Sequence, residues 1–163
     1  MKTHIALAAF AASCALAAPA LAADYYRTAT YPVGDGVTAE FVESATVRIN
    51  SSGFKVADIT NVDSHGIATW VFTQEVDCKA HTWHAIYKIA YRVDEMTPPM
   101  REFPNPPEAF DAVDAKAPQR KTMDFICAWP KRPAGVTRNT AVSSIALSKK
   151  IAPTIKVKAR GDK

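Results

Sequence analysis

Two runs of alternating residues set the first constraint on this chain. From Ile67 to Cys78 the even positions hold Ala68, Trp70, Phe72, Gln74, Val76 and Cys78, and the odd ones include Thr69, Thr73, Glu75 and Asp77. From Thr82 to Arg92 the odd positions hold Trp83, Ala85, Tyr87, Ile89 and Tyr91, and the even ones include His84, Lys88 and Arg92. Successive side chains of a strand point to opposite faces, so each run offers one apolar and one mixed face. Two such strands joined through Lys79-Ala80-His81 call for an antiparallel sheet with one covered side. Upstream, Val37, Ala39 and Phe41 alternate with Thr38 and Glu40, and Val47 and Ile49 with Thr46, Arg48 and Asn50. The turn Ser51-Ser52-Gly53 then leads into Phe54 to Ile59, which reads as a hairpin.

The cover for the sheet comes later in the chain. Met96 to Pro107 holds Pro98, Pro99, Pro104, Pro106 and Pro107, a density neither a helix interior nor a central strand tolerates, so it reads as a loop. Pro118 suits the first position of a helix. Met123, Ile126 and Cys127 then fall at i, i+3 and i+4 on one face, with Arg120, Lys121 and Asp124 facing away. Pro130 and Pro133 stop the helix. The expected architecture is α+β: five or six antiparallel strands with one C-terminal helix on the inner, concave face.

The first residues bear on the chemistry of the cysteines. Met1-Lys2-Thr3-His4, an apolar run from Ile5 to Ala18 and the small-residue triplet Ala20-Leu21-Ala22 follow the order of a secretory signal peptide over residues 1–22. The apolar run is shorter than the ~20 residues that span a bilayer. A lipoprotein reading through Ala11-Ala12-Ser13-Cys14 would leave the downstream cleavage site unused. Cleavage removes Cys14 and leaves Cys78 and Cys127 in an oxidising compartment, where a single disulfide is the default and free buried thiols the alternative. Cys78 ends the apolar row of its strand and Cys127 lies on the inner face of the helix, so the bond would pin helix to sheet. A closed loop of this length is worth roughly 4 kcal/mol in the chain-entropy model.

Charge divides the remainder. Ala23 to Ala128 carries 10 Lys and Arg against 15 Asp and Glu, whereas Trp129 to Lys163 carries 9 against Asp162 alone. This reads as an acidic body with a basic tail over residues 131–163, mostly disordered and solubilising, with a brief strand or helix possible at Val142 to Leu147. Lys149, Lys150, Lys156, Lys158 and Arg160 offer contacts to anionic envelope surfaces. Residues 23–36, with Tyr25, Tyr26 and Tyr31 before Gly34-Asp35-Gly36, read as a short lead-in, its pairing with the sheet left open, whose tyrosines are candidate exposed contacts.

The order of these elements resembles a known family. The residues that carry the likeness are Glu40-Phe41-Val42-Glu43-Ser44-Ala45-Thr46-Val47-Arg48, the step Glu75-Val76-Asp77-Cys78, then Phe110-Asp111-Ala112-Val113, Pro118 and Phe125-Ile126-Cys127. Over residues 37–130 the chain resembles the bacterial surface-adhesin protein E-like domains. The resemblance implies a helix tethered to a sheet by a disulfide, and host matrix and plasma proteins as partners. No convincing lipid-attachment cysteine is present, and the adhesin's ligand-binding segment is not recognisable, so no binding residues carry over.

Other chemistry is thinly represented. Cys78, His81 and His84 have the spacing C-x2-H-x2-H, with His65 a further candidate, which offers zinc or copper ligands. Oxidation of Cys78 would remove its thiolate, and strand residues three apart point to opposite faces, so surface and hairpin histidines are the preferred reading. No nucleophile elbow or glycine-rich phosphate loop is present. The aromatic row Trp70, Phe72, Trp83, Tyr87 and Tyr91 reads as the core face of the sheet, with a ligand platform as the alternative. The expected function is a non-catalytic, cofactor-free binding or adhesin-like module, periplasmic or secreted, with a protein or envelope ligand and no nucleic acid. The alternative is a small periplasmic metal-binding protein or enzyme using His81 and His84. Mass spectrometry of the protein recovered from producing cells is expected to show a chain starting at Ala23 or Asp24; a retained leader would refute the assigned cleavage site.

Overall fold

The computed structural model describes residues 22–66, 68–92 and 109–155, and the backbone of 101–104. Residues 1–21, nearly all of the expected signal peptide, and the last basic residues lie outside the described residues, as does most of the proline-rich segment. Nine strands form one antiparallel sheet: β1 (Ala23–Val33), β2 (Gly36–Glu43), β3 (Arg48–Ile49), β4 (Lys55–Asp63), β5 (Ala68–Asp77), β6 (Thr82–Arg92), β7 (Arg101–Pro104), β8 (Asp111–Ala112) and β9 (Thr137–Ala141). The order is β7-β6-β5-β4-β2-β1-β9, with β3 paired to β4 and β8 to β6. Two helices accompany it, α1 (Gln119–Ala128) and α2 (Ser144–Ile151). Among the described residues no helix is long and apolar enough to cross a membrane.

The expectation of an α+β antiparallel sheet with a disulfide-tethered helix holds in this coarse form. The strand number is larger, and a second helix forms at Ser144–Ile151, where the sequence leaves a brief strand or helix open at Val142 to Leu147. The lead-in is a full strand: β1 pairs with β2 from Tyr25↔Glu43 to Val33↔Gly36 and with β9 on its other side. Gly34 makes the connecting turn at φ +58, a conformation that favours glycine. The proline-rich segment contributes β7, which pairs only with β6, an edge position that Pro104 tolerates.

Both faces of the sheet are covered over part of their area. Tyr26, Val42, Ala57, Ile59 and Val76 face α1 and pack with its Met123, Phe125 and Ile126. Tyr25, Ala39, Phe41 and Val62 face the other way and pack with Leu147, Ile151 and Ala152 of the α2 region. The neighbours Tyr25 and Tyr26 are each 2% exposed, on opposite faces, so they are core residues rather than the exposed contacts expected from sequence. Burying one large apolar side chain contributes roughly 1.5–3 kcal/mol.

The clasp between sheet and helix is present: Cys78 and Cys127 are disulfide-bonded with Cα atoms 5.6 Å apart. Helix α1 begins after Pro118 and ends where Trp129 turns to ψ 135 ahead of Pro130. Lys55 Nζ donates to the Trp129 carbonyl at 3.2 Å. The Arg132 guanidinium lies 4.9 Å from the Tyr26 ring centroid and 5.9 Å from that of Trp129.

The segment 131–163 is therefore not a disordered tail along its described length. β9 extends the sheet, and Ser143 caps α2 by accepting from the Ala146 amide at 3.2 Å. Lys149 and Lys150 sit in the last turn, where the helix dipole favours cations. The apolar stripe of α2 is narrow because two serines share its inner side. Thr60 Oγ1 donates to Ser144 Oγ at 3.0 Å and Thr69 Oγ1 to Ser148 Oγ. Leu147→Ala is expected to lower stability by about 2–5 kcal/mol in urea unfolding; a change within about 0.5 kcal/mol, usual for a surface site, would show that this segment does not pack as described.

Candidate functional site

The two faces are not covered equally. Helix α1 lies against β1, β2 and β4 and meets β5 near Val76, so the rest of the β5–β6 half of this face lies outside the cover of α1. Register identifies the residues there. Asn61 pairs with Trp70, Phe72 pairs with Lys88, and Gln74 pairs with Ala85, all on the α1 side.

A cleft of about 470 Å³ runs along this half, lined by Tyr31, Asn61, Asp63, Trp70, Phe72 and Lys88 among others. A second cleft of about 230 Å³ shares Phe72 and Lys88 with it and continues past Gln74, Trp83 and Asp111. Together they form a trough. The Trp70 and Phe72 rings have centroids 6.2 Å apart and planes 19° from parallel. Trp70 is 37% exposed, a large apolar area for one surface side chain. Asn61 Oδ1 and Gln74 Oε1 are buried without a hydrogen-bond donor among the described residues, although buried carbonyl oxygens are ordinarily satisfied. A separate notch of about 330 Å³ lies between Arg27, Lys121 and Thr137.

At one rim the trough meets a buried acid. Glu40 is 3% exposed, on the α1 face of β2. Tyr31 Oη donates to its Oε1 at 2.7 Å, and Thr122 Oγ1 of α1 donates to its Oε2 at 2.5 Å. Thr122 also shares a hydrogen bond with Thr28 at 2.8 Å. Burial raises the Glu40 carboxyl above its ordinary value near 4.5, partly offset by the Thr122 and Tyr31 donors. Burial and the adjacent carboxyl likewise raise the Tyr31 phenol above its usual range.

The histidines singled out by sequence are placed apart in role. His81 occupies the β5–β6 turn at φ 56, and its carbonyl accepts from the Val113 amide at 3.0 Å. His84 lies on the α2 side of β6 with Nε2 2.8 Å from Glu75 Oε2, and its ring stacks on Phe110 with centroids 4.2 Å apart. His65 sits in the β4–β5 turn beside Asp63. Cys78 is committed to the disulfide. Among the described residues no group of three or more His, Cys, Asp or Glu is placed to hold a metal ion.

The aromatic row does not stay on one face. The β5–β6 register shifts after Thr73: Gln74 pairs with Ala85 but Thr73 with Tyr87, so Ile86 is an extra residue. This bulge keeps Trp83 and Ala85 on the side of Trp70 and Phe72, and sends Tyr87, Ile89 and Tyr91 to the other. Sequence reasoning missed Glu40 because its alternation with Ala39 and Phe41 suggested solvent. The adjacent pair Phe41-Val42 was the available sign that both faces are covered.

Comparison with protein-family models, with curated proteins and with solved structures finds no match.

A group whose folded-state pKa is raised holds its proton to higher pH in the folded chain than in the unfolded one. Stability is then lost as pH rises from about 4.5 through the folded value. Glu40→Gln keeps a neutral group in place. The stability of this variant relative to the natural chain should therefore increase across that rise, and parallel pH curves for the two proteins would refute the buried-acid assignment.

Proposed function

We propose that the chain is an exported, non-catalytic binding module of the bacterial cell envelope, and that the β5–β6 trough is its ligand surface. The observation that carries this reading is the contrast within one sheet face. Under α1 the face is closed by Met123, Phe125 and Ile126. Beyond α1 it presents Trp70 and Phe72 in a groove edged by Asp63 and Lys88. A concave, mostly apolar strip with a few placed polar groups is the general form of a ligand site. The frame suits an extracytoplasmic setting, because a disulfide across 49 residues forms and persists where thiols are oxidised. The resemblance to surface-adhesin protein E-like domains contributes the adhesin-like part of the reading, with host matrix proteins as the partners it suggests.

Fractionation of producing cells, followed by co-sedimentation of the purified mature protein with isolated envelope material, tests this. The protein is expected outside the cytoplasm with both sulfurs bonded. It should sediment with the envelope, and Trp70→Ala together with Phe72→Ala should reduce retention about tenfold, near 1.4 kcal/mol. A cytoplasmic chain with free thiols, or equal retention of the folded double variant, would overturn the proposal.

A further inference from the structure

Resting on the trough as the ligand surface, we infer that its ligand is a glycan chain without strong net charge. Four observations converge on this class. The first is the near-parallel pair Trp70 and Phe72 in the lining of the trough. The face of an aromatic ring carries a negative quadrupole, which attracts the polarised C–H groups on the flat side of a sugar ring. The second is the pair of amide oxygens without donors among the described residues, Asn61 Oδ1 beside Trp70 and Gln74 Oε1 beyond Phe72. Sugar hydroxyls and acetamido N–H groups are donors of the kind such oxygens lack. Meeting a carbonyl otherwise left bare in the interior recovers its desolvation cost.

The third observation is charge. Among the described residues the trough is lined by two carboxylates, Asp63 and Asp111, and one ammonium, Lys88, so both signs are present; a site for a strongly anionic or cationic ligand would be lined by one sign. The fourth is shape. Along β5 the trough passes Trp70, Phe72 and Gln74, a span of roughly 13 Å at ~3.3 Å per strand residue. It then continues beside Trp83. That is room for more than one ring in line.

Other ligands fit less well. An extended peptide recognises a sheet through the unpaired backbone of an edge strand, whereas β5 is paired on both sides, to β4 and β6. A lipid chain calls for an enclosed apolar cavity, and this trough carries Asp63, Asn61 and Lys88 on its walls.

The test is an NMR titration of the mature protein, residues 23–163, following the Trp70 indole N–H. The probes are cellotetraose, N-acetylchitotetraose and a neutral extended peptide of matched length. The expected result is saturable displacement of the Trp70 signal by at least one tetrasaccharide, alike at low and high salt, with no response to the peptide. Trp70→Ala should weaken binding about tenfold, near 1.4 kcal/mol, and Trp70→Phe, which retains an aromatic face, should weaken it less. Response to one tetrasaccharide alone supports the inference and identifies whether hydroxyls or acetamido groups are read. If neither tetrasaccharide binds while Trp70-dependent retention on envelope material persists, the glycan assignment falls and the binding-module reading stands. If Trp70-dependent retention is absent as well, both fall.

Discussion

The bond between Cys78 and Cys127 joins the end of β5 to the last turn of α1, and the arrangement of the α1 face follows from where that bond holds the helix. The other end of α1 is fixed by different chemistry, the Thr122 hydroxyl on the buried Glu40 carboxyl. A helix of ten residues has little stability alone. Anchored at both ends over β1, β2 and β4, it seals one half of the face. The disulfide works on the unfolded chain by shortening it, while Phe125 and Met123 work on the folded chain by leaving water. Neither effect replaces the other, because the covalent link limits where the helix can be and the apolar contacts decide its orientation there.

Glu40 is the point at which frame and candidate site meet. It accepts from Tyr31, which lines the trough, and from Thr122, which belongs to the helix. A buried carboxyl without a cation is costly unless hydrogen-bonded, and the two hydroxyl donors account for its presence. The trough and the helix thus share one polar centre.

The α2 side follows a second pattern. There, Thr60 and Thr69 of the sheet meet Ser144 and Ser148 of the helix through hydroxyl pairs set among Leu147, Phe41 and Val62. Satisfied hydroxyls allow small polar residues to occupy a packed interface. They also obscure the helix in the sequence, because periodicity is read from apolar residues, and Ser-Ser-Ile-Ala-Leu-Ser offers few.

Local order was largely legible in the chain. Alternation in β5 and β6, the turn at Ser51-Ser52-Gly53, the helix after Pro118 and the placement of Cys78 and Cys127 are properties of neighbouring residues, and period, turn chemistry and side-chain direction read them directly. The sequence leaves the strand at residues 23–33 and the helix at 144–151 as open alternatives, because each is stabilised by partners far along the chain: β1 by β2 and β9, α2 by Thr60 and Thr69. The candidate site was half visible. Trp70 and Phe72 stood out as aromatic, but the extra residue Ile86 splits their row, and a one-residue slip exchanges the two faces of a strand. Which half of the face α1 covers depends on the reach of the helix, and that is a matter of three-dimensional packing, since alternation assigns a residue to a face without stating what lies above it.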